Sequence, residues 1–244
     1  MSGSLWEIRK PWSSRISAAK IGRQIHPCDY RRQVWIIEFA GKCMGEAKRR
    51  KADIDRLKSA RSEWLSSLSD DEMVIADVSE RAFNRIVWSL RLTGGCYLMT
   101  FFLKEYLWQD KALRSDAVVG WVNDGTGPLM ASHAWLEVGG KKIDINLALT
   151  EYPEVQPPGS VIILDHVIRP GKASYTYHLD RSAEAVLAEQ KGSSSSREFA
   201  ALCAMKNEEH IAMKARSTSD DLMGAYLRSA PPDRGYERFA NLLA

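Results

Sequence analysis

A chain of 244 residues, 45% of them hydrophobic, can bury a full core and hold one main domain with extensions. Its net charge of +3 implies no global nucleic-acid or membrane partner, and no apolar run approaches the roughly 20 residues of a spanning helix. Four cysteines (Cys28, Cys43, Cys96 and Cys203) lack CxxC or paired spacing, which argues against a zinc site or a disulfide framework and for a reducing, cytoplasmic setting.

Taken in chain order, residues 1–43 read as a basic extension carrying Trp6, Trp12 and Trp35 in poorly periodic surroundings. A polar helix begins at Met44, which is expected to be the native start. Its run Lys48-Arg49-Arg50-Lys51 reads as a solvated face, so no nucleic-acid partner is expected. Over 47–68 a narrow apolar stripe recurs at Ile54, Leu57, Ala60 and Trp64. Ser69-Asp70-Asp71-Glu72 is a capping box that starts a second helix, and Ser79 is expected to cap a further one carrying Phe83, Ile86, Val87 and Leu90 inward. Gly94-Gly95 interrupts that pattern, and the apolar stretch 97–108, free of Gly and Pro, predicts a helix opening at Cys96. Strands are predicted over 117–122, 132–138 and 141–147, the last two joined by a Gly139-Gly140 turn. One strand is predicted over 160–169 and a weaker one over 174–179. Lys191 to Ser196 reads as a flexible linker before two C-terminal helices, the second starting at Ser219-Asp220-Asp221. The expected layout is thus an extension (1–43), an α+β core with an antiparallel sheet packed on the Cys96 helix (44–190), and a linker with C-terminal helices (191–244).

Three residues in this layout carry chemistry. A thiol nucleophile needs a base for its proton and a third group to hold that base in one tautomer. A cysteine in the first turn of a helix meets the positive dipole end and unpaired N–H groups, which favour the thiolate and could line an oxyanion hole. With a two-residue turn at Gly139-Gly140, Leu136 faces Ile143, Trp135 faces Asp144 and His133 faces Asn146, so His133, Trp135, Asp144 and Asn146 share one face. Asp144 is the diagonal neighbour of His133 and Asn146 the direct one. Asp144 is preferred as the orienting group, because a carboxylate stabilises the imidazolium. Trp135 and Asn146 are candidate substrate-binding residues, Trp121 and Trp135 candidate cleft walls, and the loop 123–128 a candidate rim. His166 and His178 are alternative bases without an orienting partner at an interpretable spacing. His26 and His210 fall outside the core.

Gly94-Gly95-Cys96 opening a helix, the strand Ala117-Val118-Val119-Gly120-Trp121, then His133-Ala134-Trp135 and a hairpin ending in Asp144 resemble the transglutaminase-like superfamily, over roughly residues 80–150. That group shares a papain-like arrangement of helix-borne Cys with sheet-borne His and Asp, and includes transglutaminases, peptidases, peptide N-glycanases and lasso-peptide leader peptidases. The resemblance implies Cys96 as nucleophile, His133 as general base and Asp144 as orienting acid, with a peptide or protein substrate, no cofactor and no membrane partner. Hydrolysis is favoured over transamidation, since nothing in the sequence marks an amine site. Two other readings stand beside it: a binding protein that keeps this fold without the chemistry, and an open zinc site formed by Cys96, His133 and Asp144.

Overall fold

The computed structural model describes Lys51, Asp55, Arg56 and residues 58–244. The extension 1–43, the start at Met44, and Ile54 and Leu57 of the apolar stripe lie outside the described residues. Residues from Arg56 to Ala244 belong to one compact unit.

Helix α1 (58–66) leads into α2 (Asp70–Ala82). The capping box forms as expected: Glu72 N donates to Ser69 Oγ at 3.3 Å, and Ser69 N donates to Glu72 Oε2 at 3.0 Å. Ser79 does not start a new helix. It lies inside α2 with its side chain fully buried, and the chain runs on through a π-helical turn, Phe83–Trp88. Helix-forming Glu80, Arg81 and Ala82 follow Ser79 directly, so nothing breaks the ladder there. The chain then reverses through Gly94, at φ +64°, into α3 (Cys96–Lys111). Met99, Phe101, Phe102 and Leu107 of α3 are fully buried and form the centre of the core.

Strands β1 (Asp116–Asn123), β2 (Ala131–Val138), β3 (Lys141–Ile143) and β6 (Thr176–His178) form a curled antiparallel sheet in the order β3-β2-β1-β6. Ala117, Val119, Ala134, Leu136 and Ile143 alternate onto the face that joins the α3 core. Gly139 and Gly140 both take positive φ, and the ladder pairs Leu136 with Ile143 and Val138 with Lys141, the register that a two-residue turn demands. β3 is shorter than predicted. Beyond Ile143 the chain leaves β2, and Asp144 bridges to Ile162 instead, with both main-chain hydrogen bonds at 2.8 Å.

The single strand predicted over 160–169 is a hairpin, β4 (Val161–Ile163) and β5 (His166–Arg169). Its turn is Leu164-Asp165, both in the left-handed region, and is held from outside. Lys142 N donates to Asp165 Oδ1 at 3.0 Å and Asp165 N to Lys142 O at 3.0 Å. The expected linker is also absent as such, because residues 191–195 complete α4 (Ala183–Ser195) and Ser196 caps α5 (Arg197–Ser217). α5 packs closely on α4 there: a Cβ at Gly192 would stand 2.6 Å from the Phe199 ring. Helices α6 (Asp220–Arg228) and α7 (Tyr236–Leu243) return Met223, Leu227, Phe239 and Leu243 to the α3 core. The class is α+β. Among the described residues no helix is long and apolar enough to cross a membrane.

Candidate active site

The site grows from three elements. α3 supplies Cys96 as its first residue, half-buried, behind Gly95. β2 supplies His133, and the segment after β3 supplies Asp144, both buried. His133 Nε2 and Asp144 Oδ2 are 2.7 Å apart. That contact commits Nε2 and leaves Nδ1 as the ring nitrogen for a second partner. Cys96 lies near enough for its charge to act on the His133 ring.

The Asp144 carboxylate is fully engaged. Besides His133 it accepts Tyr177 Oη–H at Oδ2 (2.8 Å) and the main-chain N–H of Asn146 at Oδ1 (2.9 Å). Burial alone would raise its pKa, but the His133 charge and these three donors hold it below the usual carboxylate value. Burial would likewise lower His133. The Asp144 carboxylate first, and Cys96 second, overcome this and push the ring up to about 10. The imidazole therefore carries its proton beside a fixed counter-charge.

The remaining candidates fall out as follows. Trp135 is buried, with its indole N–H donated to Glu137 Oε1 at 2.8 Å and its ring edge-on to Tyr177, so it braces the site rather than facing open space. Its ring crosses Gly120, where a Cβ would stand 2.7 Å from Trp135 Cη2. Asn146 contributes its main chain to Asp144. Its side chain is buried, with Oδ1 unpartnered among the described residues. Trp121 is buried against the His210 ring, with the Arg181 guanidinium 4.7 Å from the Trp121 ring centroid. The loop 123–128 is folded on Asn123, whose Oδ1 accepts from Gly125 N and whose Nδ2 donates to the Gly127 and Leu129 carbonyls. His166 stacks on Trp64 and His178 hydrogen-bonds Thr176, so neither joins Asp144. Among the described residues no group of three or more His, Cys, Asp and Glu side chains is arranged to hold a metal ion.

Two residues escaped the sequence reading. Tyr177 lies in a three-residue strand whose only signal is the alternation of Tyr175 and Tyr177 in 174–179. His210, set aside as outside the core, is buried and hydrogen-bonded to Ser132, the residue before His133. No family model, curated protein or solved structure matches this chain.

Proposed function

We propose that this chain is a cysteine-nucleophile acyl-transfer enzyme of the transglutaminase-like, papain-like kind, hydrolysing a peptide or amide bond in a reducing, cytoplasmic setting without a cofactor. The observation that carries the reading is the buried His133–Asp144 pair, held through Nε2 at 2.7 Å, with Cys96 at the α3 N-terminus near enough for its charge to act on the ring. In this reading His133, protonated in the resting site, holds Cys96 as the thiolate, and the sulfur attacks the substrate carbonyl carbon. The C–N bond then breaks, and His133 gives its proton to the leaving amine. Water next attacks the thioester, giving its proton to His133. The acid departs and the thiolate is restored beside the imidazolium. In this reading the free main-chain N–H groups in the first turn of α3 would bind the oxyanion.

The test is the rate of Cys96 alkylation by iodoacetamide as a function of pH, followed on the Cys96 peptide by mass spectrometry, with His133→Ala as comparison. A free thiol of pKa ~8.5 is well under 1% thiolate at pH 6. Fast labelling at pH 6, slowed about tenfold or more in the variant, supports the reading and justifies a peptide-substrate screen. Slow labelling that His133→Ala leaves unchanged refutes it, and favours a binding protein that keeps the fold alone.

A further inference from the structure

Beside the triad runs a second hydrogen-bonded chain, which the proposed reaction does not use. Tyr97 follows Cys96 on α3, and Ser132 precedes His133 on β2. Tyr97 Oη and Ser132 Oγ are 2.6 Å apart, and Ser132 Oγ is 2.6 Å from Nδ1 of His210 on α5. Tyr97 and His210 are both buried. The His210 ring also stacks on Trp121, with centroids 4.3 Å apart, and Trp121 is the cross-strand partner of Ser132.

We propose that Tyr97, Ser132 and His210 are positioning residues: a polar strap that fixes the spacing of Cys96 and His133 and is closed by the seating of α5. This rests on the reading of Cys96 as nucleophile. Cys96 and His133 lie on different elements, and no covalent link sets their separation. The strap grips each element at the adjacent residue, one Cα step of about 3.8 Å away, so a shift in it reaches both reacting groups. Its middle member belongs to β2 and its outer members to two helices, so unseating α5 removes the last partner of the chain. A hydroxyl–imidazole contact in a buried setting is directional, unlike the apolar packing of α6 and α7 on the core.

The strap also responds to protonation. A neutral His210 can accept the Ser132 hydroxyl proton at Nδ1, and Ser132 in turn accepts from Tyr97. A protonated His210 donates at Nδ1, which reverses the chain and makes the Tyr97 oxygen an acceptor. The charged groups facing His210 are Lys214 on its own helix and Arg181 and Asp180 before α4. Burial first, then Lys214 and Arg181, against the smaller opposing effect of Asp180, hold it below the ordinary histidine value. For a group depressed in the folded state, the stabilisation is present above the ordinary value and lost as pH falls through the depressed one. The seating of α5 therefore weakens on the acid side.

The experiment uses the full chain and its Ser132→Ala, Tyr97→Phe, His210→Phe and His210→Asn variants, with Cys96 alkylation resolved on its own peptide and urea unfolding in parallel. His210→Phe keeps a ring on Trp121 and removes the hydrogen bond, while His210→Asn places an amide near the Nδ1 position. The expected result is a loss of about fivefold in the labelling rate for Ser132→Ala and His210→Phe, the size of one net hydrogen bond. A Ser132→Ala/His210→Phe double variant should lose no more than either single one, as for residues acting through one network. His210→Asn should restore most of the rate and reduce the acid-side loss of stability seen in urea unfolding of the native chain. Unchanged labelling, additive losses, or an acid-side stability loss equal to the native one in His210→Asn overturns the proposal. If His210→Phe does not fold, Ser132→Ala and His210→Asn decide it alone. Should His133→Ala slow labelling while the strap variants do not, only the strap fails; should His133→Ala also leave labelling unchanged, the nucleophile reading fails first.

Discussion

Asp144→Asn isolates the ion pair with nearly the same shape. The carboxylate accepts three donors, His133 Nε2–H, Tyr177 O–H and Asn146 N–H. An amide presents one oxygen and one NH2 group, so at least one donor must face another donor in a buried setting. Losing one partner of a buried charge pair costs about 3–5 kcal/mol. The diagnostic quantity is the pH dependence. Folding raises His133 from its ordinary 6.5 to about 10, so the native state binds a proton that the unfolded chain gives up. That stabilisation is fully present below pH 6.5 and is lost as pH rises through the folded value, at about 1.4 kcal/mol per pH unit. Between pH 7 and 9 the native protein should therefore lose about 2–3 kcal/mol from this group. Asp144 works in the opposite sense: held low in the fold, it contributes above the ordinary carboxylate value and is lost in acid. Urea unfolding at pH 6, 7, 8 and 9, read as ΔG in water, should give a falling curve for the native chain. Asp144→Asn should start lower and run much flatter, because Asp144 is the largest influence raising His133. Parallel curves would refute the pairing as the source of the His133 shift.

Two further substitutions probe the supports of the pair. Tyr177→Phe removes the 2.8 Å donor to Asp144 and nothing else of the ring's packing, so it should cost about 1.5–3 kcal/mol in urea unfolding and slow Cys96 alkylation. Stability and labelling both unchanged would remove Tyr177 from the site. Gly120→Ala places a methyl 2.7 Å from Trp135 Cη2 and closer still to the His178 carbonyl, so thermal melting should show about 1–3 kcal/mol of overpacking. A melting temperature equal to the native one would mean that β6 and the Trp135 ring yield freely.

The parts legible in sequence are those whose physics is local. Gly139-Gly140 can take the two positive φ values that a tight hairpin requires, and strand alternation then carried the register as far as Ile143. Ser69 and Glu72 sit three residues apart and satisfy each other's main-chain groups without help from elsewhere. The parts that escaped depend on distant partners. Leu164-Asp165 contains no glycine, and its turn is held by Lys142, more than twenty residues away. The serine run after Gly192 has the composition of a linker, yet Ser194 and Ser195 return their hydroxyls to the Gln190 and Lys191 carbonyls and the helix continues. Tyr177 and His210 matter only because β6 lies beside β1 and α5 lies against the sheet, and no period in the sequence encodes either neighbour.

The support around Asp144 bears on why such a pair is kept. A buried ion pair is often no more stabilising than apolar side chains of the same volume, since both charges must be desolvated. Stability alone would therefore be served as well by two aliphatic residues at 133 and 144. Instead, the main chain of Asp144 is clamped to Ile162 in both directions, its side chain takes a third donor from the separate strand β6, and Trp135 and Tyr177 pack around the imidazole. These contacts converge on the orientation of one ring, His133, whose Nδ1 is the nitrogen not committed to Asp144. Ring orientation has a large bearing on proton transfer, which falls away once the partners leave hydrogen-bond reach. Variants that loosen the ring should therefore depress Cys96 reactivity out of proportion to their effect on unfolding. Those that only create a cavity in the α3 core should do the reverse.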